Sequence, residues 1–217
     1  MPRIATPARI EDAPEASRPT LEAIQMQIGS VPNIFRLVST SSAALDGLTA
    51  LQAALGKGKL APATRERIAL AMAEVNGCDY CLSAHAYTGS KFAKLGNDEI
   101  LANRQGTSLD AKAAAAVEFS RALTLSRGAV TVAAIERVKA AGYSDAEILE
   151  IIAHVALNTF TNYLNEALGT VPDIDLDFSR DIREELILRV YEKYGHDHTG
   201  LVCTFPTYRM KSAVREI

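Results

Sequence analysis

The chain has 217 residues, of which 48% are hydrophobic, 23% charged and 6% aromatic; this composition argues for a folded domain with a sizeable core. Its 23 basic and 26 acidic residues give a net charge of -3, which carries no electrostatic signature of binding to nucleic acid or to an anionic membrane. The longest apolar stretch, Ile68 to Ala73, is far shorter than the roughly 20 residues of a membrane span. Because the N-terminal segment lacks the apolar core of a secretory signal, the sequence predicts a cytoplasmic location.

Helical periodicity and helix-forming residues run through most of the chain, and no segment alternates with the period of two that is typical of a strand. Residues 1–18 are predicted to be a loose arm. The predicted helices span 19–28, about 34–38 after an Asn33 cap, 42–55, 62–76, 79–95, 98–104, 109–126, 131–141, 144–168 and 179–194. The expected fold is therefore an all-α, compact multi-helix domain over residues 19–178, followed by a C-terminal helix and tail over 179–217.

Two local signals mark helix ends clearly. Gly77, which separates two predicted helices, is suited to the left-handed conformation that ends a helix. Ser144, with Glu147 three residues later, has the form of a capping box that opens the long helix ending near Leu168.

The segment that carries chemistry is ERIALAMAEVNGCDYCLSAH, which runs from Glu66 to His85. Cys78 and Cys81 form a C-x-x-C pair at the start of a predicted helix, where free N–H groups and the helix dipole stabilise a thiolate. One cysteine of such a pair can attack an oxidant and the other can resolve the product as a disulfide. The odd count of three cysteines, with two of them closely spaced, favours a redox or metal motif over a secreted disulfide framework.

Two further side chains extend this motif. His85 lies four residues after Cys81 and therefore on the same helix face, where an imidazole can relay the thiol proton. Glu66 lies on an otherwise apolar stripe of the preceding helix and needs a specific partner, for which His85 is the candidate. We expect burial to raise the pKa of the Glu66 carboxyl, as would suit a proton shuttle.

Other interpretations of these residues remain open at this point. A structural zinc site would need a fourth ligand beside Cys78, Cys81 and His85, which Glu66 could supply. His154, flanked by apolar residues, is interpreted as a core or interface histidine whose hydrogen bonds are satisfied. The remaining candidates are interpreted as a polar loop and a bystander thiol; they are His196, Asp197, His198 and Cys203.

The Glu66–Cys78–Cys81–His85 spacing resembles that of the AhpD-like alkylhydroperoxidases, within the carboxymuconolactone decarboxylase superfamily. The flanking segments VPNIF at 31–35, NYLN at 162–165 and VPDID at 171–175 look like the peroxidase-related branch of that family. The resemblance covers about residues 20–178, and the segment after 178 has no counterpart in it. Tyr80 stands where the family prototype has a histidine.

This resemblance implies a compact all-helical fold, assembly into a homo-oligomer such as a trimer or hexamer, and peroxidase activity with no haem, flavin, metal or other cofactor. By position, Cys81 would attack the peroxide, Cys78 would resolve the product, and Glu66 with His85 would form the proton relay. It also implies a dithiol reductant, lipoyl or thioredoxin-like. The C-x-x-C pair argues against a lactone decarboxylase, which normally lacks it.

The sequence as a whole therefore predicts a cysteine-dependent hydroperoxide reductase or thiol–disulfide oxidoreductase. Two alternatives remain. One is an acid–base decarboxylase or isomerase that uses Glu66 and His85 on the same scaffold. The other is a zinc-bound or redox-sensing interaction protein.

Overall fold

A computed structural model of the protein describes residues 3–170 together with residues 188, 189 and 192. The chain divides into two compact units, Met1–Ile174 and Asp175–Ile217. All regular structure in the described part of the chain is helical, which confirms the predicted all-α fold. The helices of the first unit are α1 (Arg18–Ile28), α2 (Asn33–Val38), α3 (Ser42–Gly56), α4 (Pro62–Val75), α5 (Asp79–Lys91), α6 (Asn97–Arg104), α7 (Ala111–Leu125), α8 (Val132–Ala140) and α9 (Asp145–Leu168).

The N-terminal arm is more structured than the loose segment expected from the sequence. It contains two short 3-10 helices, Ile10–Asp12 and Glu15–Ser17, which lead directly into α1. Ala13 and Ser17 are buried, and the Ser17 hydroxyl donates a hydrogen bond of 2.7 Å to the carbonyl oxygen of Ser39. The arm is thus held by burial of small side chains, a contact that its proline-rich sequence does not indicate.

Helix α4 lies at the centre of the fold. It packs against α5, α6, α7 and α9, and every residue from Ile68 to Ala73 is buried. A helix that is apolar on all sides is stable only when neighbours cover it completely. Glu66 is therefore carried by the most enclosed helix of the described fold.

The turn between α4 and α5 follows from Gly77, which takes the predicted left-handed conformation at φ +67°. The Gly77 N–H donates to the carbonyl of Glu74, and the Cys78 N–H donates to the carbonyl of Ala73 at 2.9 Å. These two bonds form a Schellman motif, which satisfies the last carbonyl groups of α4. The motif turns the chain back at once, so that α5 packs along α4.

Two predicted helix ends were wrong in detail. Asn33 does not cap α2: Pro32 is at that position, and the Asn33 Oδ1 accepts a hydrogen bond from Arg36 inside the helix. Helix α5 ends at Lys91 rather than at Leu95, because the Leu95 N–H turns back to the carbonyl of Gly89 and Lys94 takes a positive φ of 58°.

Helix α9 opens with the predicted capping box of Ser144 and Glu147. Its residues Ile148, Ile151, Val155 and Leu157 are buried, whereas Leu149 is 68% exposed and Ile152 is 38% exposed. The helix therefore packs apolar side chains into the core and also exposes apolar side chains on its opposite face. The predicted helix over 179–194 and the tail lie outside the described residues, except that 188, 189 and 192 are helical.

No helix among the described residues is both long enough and apolar enough to cross a membrane.

A buried carboxylate, Glu99, ties α6 to α4 and to the segment before α7. Its Oε1 accepts hydrogen bonds from Arg67 Nε at 2.6 Å, from Asn103 Nδ2 at 2.9 Å and from Ser108 Oγ at 2.6 Å, while Oε2 accepts from the Leu109 N–H at 2.8 Å. Burial raises the pKa of Glu99, but these donors outweigh it and hold the pKa at about 2. Both oxygens of the charged form accept hydrogen bonds, four in all, as a buried charge requires.

We expect Glu99→Ala to lower the free energy of unfolding by about 3–5 kcal/mol, because it leaves the Arg67 charge buried without its partner. The matched control is Glu74→Ala, since the Glu74–Arg104 ion pair is exposed and should contribute less than about 1 kcal/mol. Urea denaturation of both variants measures the difference. Because the pKa of Glu99 is depressed, its contribution should be complete above about pH 4.5 and disappear as the pH falls toward 2. Equal losses in the two variants would contradict this account.

Candidate active site

The two cysteines of the C-x-x-C pair meet at the start of α5. Cys78 is the N-cap of α5, and its Sγ accepts a hydrogen bond from the Cys81 backbone N–H at 3.3 Å. The two sulfur atoms are 2.6 Å apart without a disulfide bond between them, and Cys78 donates to Cys81. The pair is therefore already positioned for exchange between a thiol and a disulfide.

The two thiols have opposite acidities. The hydrogen bond to Cys81 and burial both raise the pKa of Cys78. The hydrogen bond from Cys78 lowers the pKa of Cys81 most, burial raises it, and the amides of Asn165 and Asn162 and the charge of His85 lower it further, to about 6. The surroundings therefore favour the thiolate form at Cys81 and the thiol form at Cys78, which donates to it.

Sequence reasoning assigned no role to the two asparagines from α9 that contact this pair. The Asn165 Nδ2 donates to Cys81 Sγ at 3.2 Å, and Asn162 is fully buried beside it, with its Oδ1 accepting from Asn76 Nδ2 at 2.8 Å. Their signal in the sequence is that they lie at helical spacing on the buried face of α9, in line with His154 and Asn158. Because buried amides need partners, that spacing indicates a polar site.

The predicted Glu66–His85 pair is formed. His85 Nδ1 lies 2.9 Å from Glu66 Oε2, and the Thr88 hydroxyl donates to the same oxygen at 2.7 Å. Burial raises the pKa of Glu66, but the hydrogen bond and charge of His85 and the hydroxyl of Thr88 lower it more, so the net change is downward. The expected rise in the pKa of Glu66 was therefore wrong, because the partner outweighs desolvation.

The same pairing acts on the imidazole. Burial lowers the pKa of His85, but the hydrogen bond and negative charge of Glu66 outweigh it, and the Cys81 thiolate adds to the rise. His85 therefore holds a proton more strongly than an isolated imidazole. The pairing therefore favours the charged forms of both groups, an imidazolium and a carboxylate, and each side chain is about a quarter exposed.

A cavity of about 370 Å³ opens beside these groups, and its wall is mostly apolar. Cys81, Glu66 and His85 line it, whereas Cys78 is fully covered. Tyr80, at the position where the family prototype has a histidine, is buried and also lines the cavity. A space of this size accommodates a small organic molecule rather than only a water-sized one.

Other predicted candidates occupy different places. His154 is buried, as expected, but its Nε2 has no hydrogen-bond partner among the described residues and the side chain lines the cavity. No group of three or more metal-ligating side chains is arranged to hold a metal within residues 3–170 and the described positions beyond. His196, Asp197, His198 and Cys203 lie outside the described residues.

The described residues form an all-helical domain with a closely spaced pair of cysteines, and two family models match parts of the chain. Residues 42–124 match the model of the carboxymuconolactone decarboxylase family, and residues 130–217 match that of the bacterial DNA polymerase III alpha NTPase domain. The first match lies within the helical unit and agrees with the resemblance to the carboxymuconolactone decarboxylase superfamily seen in the sequence, and the structural neighbours described next share the all-helical fold.

Solved structures with the same fold come from several bacteria. A peroxidase-related protein with an alkylhydroperoxidase AhpD core from Ralstonia eutropha JMP134 is 24% identical with a TM-score of 0.71, over 79% of this chain and 92% of that one. A peroxidase-related protein from Silicibacter sp. TM1040 is also 24% identical, with a TM-score of 0.67 over 79% and 94%. A cysteine-to-alanine variant of a debrominase, in complex with 2,3,4-tribromopyrrole, is 19% identical with a TM-score of 0.65 over 87% and 99%.

The similarity to curated sequences is of a different kind. The error-prone DNA polymerase of Anaeromyxobacter dehalogenans strain 2CP-C is 45% identical over 58 residues, and that of Burkholderia mallei is 47% identical over 57 residues. The matched segments cover 27% and 26% of this chain, and the chain spans 5% of the length of each polymerase. Residues 171–175, which were interpreted as part of the peroxidase-related pattern, lie within the polymerase family match and outside the described residues.

We expect Asn165→Ala to raise the pKa of Cys81 from about 6 toward the usual thiol value of about 8.5, because the amide stabilises only the charged sulfur. The pH dependence of iodoacetamide alkylation, followed by peptide mass spectrometry, reports this value for Cys81. The control is Thr161→Val on the same side of α9, since the Thr161 hydroxyl donates only to carbonyls of its own helix. An unchanged profile in Asn165→Ala, or an equal change in Thr161→Val, would contradict the assigned role.

Proposed function

We propose that the protein is a cysteine-dependent hydroperoxide reductase, an enzyme that uses the C-x-x-C pair and a Glu–His pair. The observation that carries this proposal is the asymmetry of the two sulfurs. Cys81 lines the cavity with a lowered pKa, and Cys78 lies 2.6 Å away as a covered thiol. This arrangement supplies a nucleophile toward a substrate and a resolving thiol behind it.

In the first step the Cys81 thiolate attacks the terminal oxygen of the hydroperoxide. The S–O bond forms as the O–O bond breaks, so the sulfur is oxidised to a sulfenic acid and the peroxide is reduced. The departing alkoxide, or hydroxide, takes a proton and leaves as an alcohol or water. His85 is the donor of that proton, because its pKa is raised by Glu66.

In the second step Cys78 attacks the sulfur of the Cys81 sulfenic acid. The S–S bond forms, the S–O bond breaks, and the thiol proton of Cys78 leaves with the hydroxyl as water. An external dithiol then reduces the disulfide by exchange and becomes a disulfide itself. We propose a lipoyl or thioredoxin-like reductant, in keeping with the peroxidase-related interpretation and with a cytoplasmic location.

The role of His85 in this scheme differs from the relay of the thiol proton that the sequence suggested. Because its surroundings already lower the pKa of Cys81, the thiol has less need of a base to remove its proton. The charged imidazole therefore stabilises the thiolate before the reaction and donates its proton during it. Glu66 acts through His85, as the carboxylate that keeps the ring oriented and protonated.

The two cysteine variants should fail at different steps. Cys81→Ser should lose reactivity with peroxide, whereas Cys78→Ser should react once and stop at a sulfenic acid, because no resolving thiol remains. Dimedone labelling after one equivalent of peroxide, read by mass spectrometry, measures this. Peroxide treatment of the unmodified protein should remove two hydrogens from the peptide that holds both cysteines.

Three results would overturn these assignments. Dimedone labelling of Cys78 in Cys81→Ser, with none of Cys81 in Cys78→Ser, would reverse the two roles. A disulfide that links Cys203 to either cysteine would place the redox pair elsewhere. Full enzymatic turnover in Cys81→Ser would favour an acid–base reaction, such as a decarboxylation or isomerisation, at Glu66 and His85.

Glu66→Gln should slow peroxide reduction at pH 7–8 by about 10²–10⁴-fold, the usual range for a general acid–base contribution. Because Glu66 raises the pKa of His85, its loss should also move the alkaline limb of the pH–rate profile to lower pH. The acidic limb, set by Cys81, should move less. The matched control is Glu74→Gln, which makes the same chemical change at an exposed position of α4. Unchanged pH limbs in Glu66→Gln would show that the carboxylate has only a structural role.

A second candidate is reductive dehalogenation by the same cysteine pair. The observation that favours it is the mostly apolar cavity beside Cys81, together with the shared fold of a debrominase whose cysteine variant binds 2,3,4-tribromopyrrole. Halide release from a brominated aromatic compound, compared with peroxide consumption under the same reductant, separates the two activities.

We also propose that the protein assembles with copies of itself, as expected from its sequence. The exposed Leu149 and Ile152 of α9 are apolar side chains that such an interface would cover. The trimer or hexamer suggested by the resemblance stays a prediction, which light scattering across micromolar concentrations can check.

A further inference from the structure

The cavity beside Cys81 is lined by polar side chains that have no role in the proposed peroxide reduction. One face of α9 presents His154, Asn158 and Asn165 to it, at spacings of four and seven residues. At a rise of about 1.5 Å per residue, this polar row is roughly 16 Å long. The wall around it is apolar, with side chains such as Phe35, contributed by α2.

The two ends of this row carry buried polar atoms without partners. His154 Nε2 and Asn165 Oδ1 make no hydrogen bond within the described residues, and both side chains are more than nine-tenths buried. In contrast, the Asn158 amide donates to the carbonyl of His154 at 2.8 Å. A buried group without a partner is costly unless a ligand completes it. Asn165 belongs to the cysteine end, so His154 marks a separate position in the same cavity.

A cation lies beside His154 in the cavity wall. Arg65 of α4 is half-buried, and its Nη1 donates to the carbonyls of Leu55 and Gly56 at 3.2 and 3.0 Å. No carboxylate of the described residues lies within ion-pair distance of its guanidinium, and the neighbouring Glu66 is bonded to His85. The Arg65 charge is therefore open to an anion in the cavity.

The charged groups around the His154 imidazole are also consistent with a position for an anion. Burial and the Arg65 charge lower the pKa of His154 to about 4, against smaller opposing contributions from Glu150 and Glu66. Glu150 is itself bonded to the N–H groups of Lys59 and Leu60 at 2.8 and 3.0 Å. A neutral imidazole with an N–H at Nε2, next to a guanidinium, is a donor pair for a carboxylate.

Building on the proposed function, we propose that the substrate is an organic hydroperoxide with an apolar body and a carboxylate group. The carboxylate binds Arg65 and His154, the apolar body lies along the wall lined by Phe35, and the peroxide oxygen meets Cys81. Hydrogen peroxide alone would use neither His154 nor the apolar wall. His154 and Arg65 are thus binding residues that set which hydroperoxide is reduced.

The test uses cumene hydroperoxide and its para-carboxylate derivative, which share the same reacting group. The unmodified protein should give a kcat/KM about 10- to 100-fold higher for the carboxylate, the range expected of a hydrogen bond to a charged group. His154→Leu should lower the ratio of the two values about tenfold, because only the Arg65 charge then recognises the carboxylate, and His154→Gln should retain much of the ratio through its N–H. Leu149→Ala, on the exposed side of α9, is the control that should keep the ratio.

Binding of the corresponding carboxylate alcohol, measured by calorimetry with the reduced protein, tests recognition without turnover. Tight binding that weakens about tenfold or more in His154→Leu supports the carboxylate site. If neither hydroperoxide oxidises Cys81 in the same protein, the carboxylate site stands and only the proposed peroxide reduction is overturned. Equal kcat/KM for the two hydroperoxides, or binding that is unaffected by His154→Leu, overturns the carboxylate site while leaving the reductase proposal in place.

Discussion

The position of Cys78 is fixed by two helix ends at once, and the geometry of the site depends on this. Its backbone N–H closes the Schellman motif at the end of α4, while its side chain caps the start of α5. A residue held at both ends has little freedom to move its sulfur. Cys81, one turn later on α5, is thereby placed against that sulfur, and His85 a further turn on reaches Glu66 on α4. One short turn therefore sets all four candidate catalytic side chains.

The electrostatics of the site follow from the need to keep a buried thiolate charged. Burial alone would raise the pKa of Cys81, so the charge must be offset by donors: the Cys78 thiol, the amides from α9 and the positive imidazole. Once these are present, the Glu66–His85 pair is free to hold a proton rather than to remove one. The same pairing that lowers the pKa of Glu66 raises that of His85. In the proposed reaction, the surroundings of the sulfur would therefore set the direction of proton transfer.

Local sequence signals predicted those features that depend on neighbours along the chain. The left-handed Gly77, the Ser144 capping box and the Glu66–His85 pairing all arise from residue types at short spacing, and all are present. The end of α5 was mispredicted because Leu95 folds back onto Gly89, a packing contact that places the non-glycine Lys94 at positive φ. The role of Asn165 also depends on a distant helix, since α9 reaches Cys81 from 84 residues away along the chain.

Helix α9 contributes to the site around Cys81, although the two family matches assign it to a different part of the chain. The carboxymuconolactone decarboxylase match ends at residue 124, and α9 falls within the polymerase match over 130–217. Yet α9 packs against α4 and supplies the amide that donates to Cys81. The two peroxidase-related structures align with 79% of the chain. Because residues 1–124 are less than two thirds of the chain, the aligned region extends past residue 124. Since a buried thiolate needs donors from outside its own helix, α9 is as much a part of the site as α4 and α5. The physical unit that would carry the proposed chemistry is therefore defined by packing around Cys81 and is longer than the family match over residues 42–124.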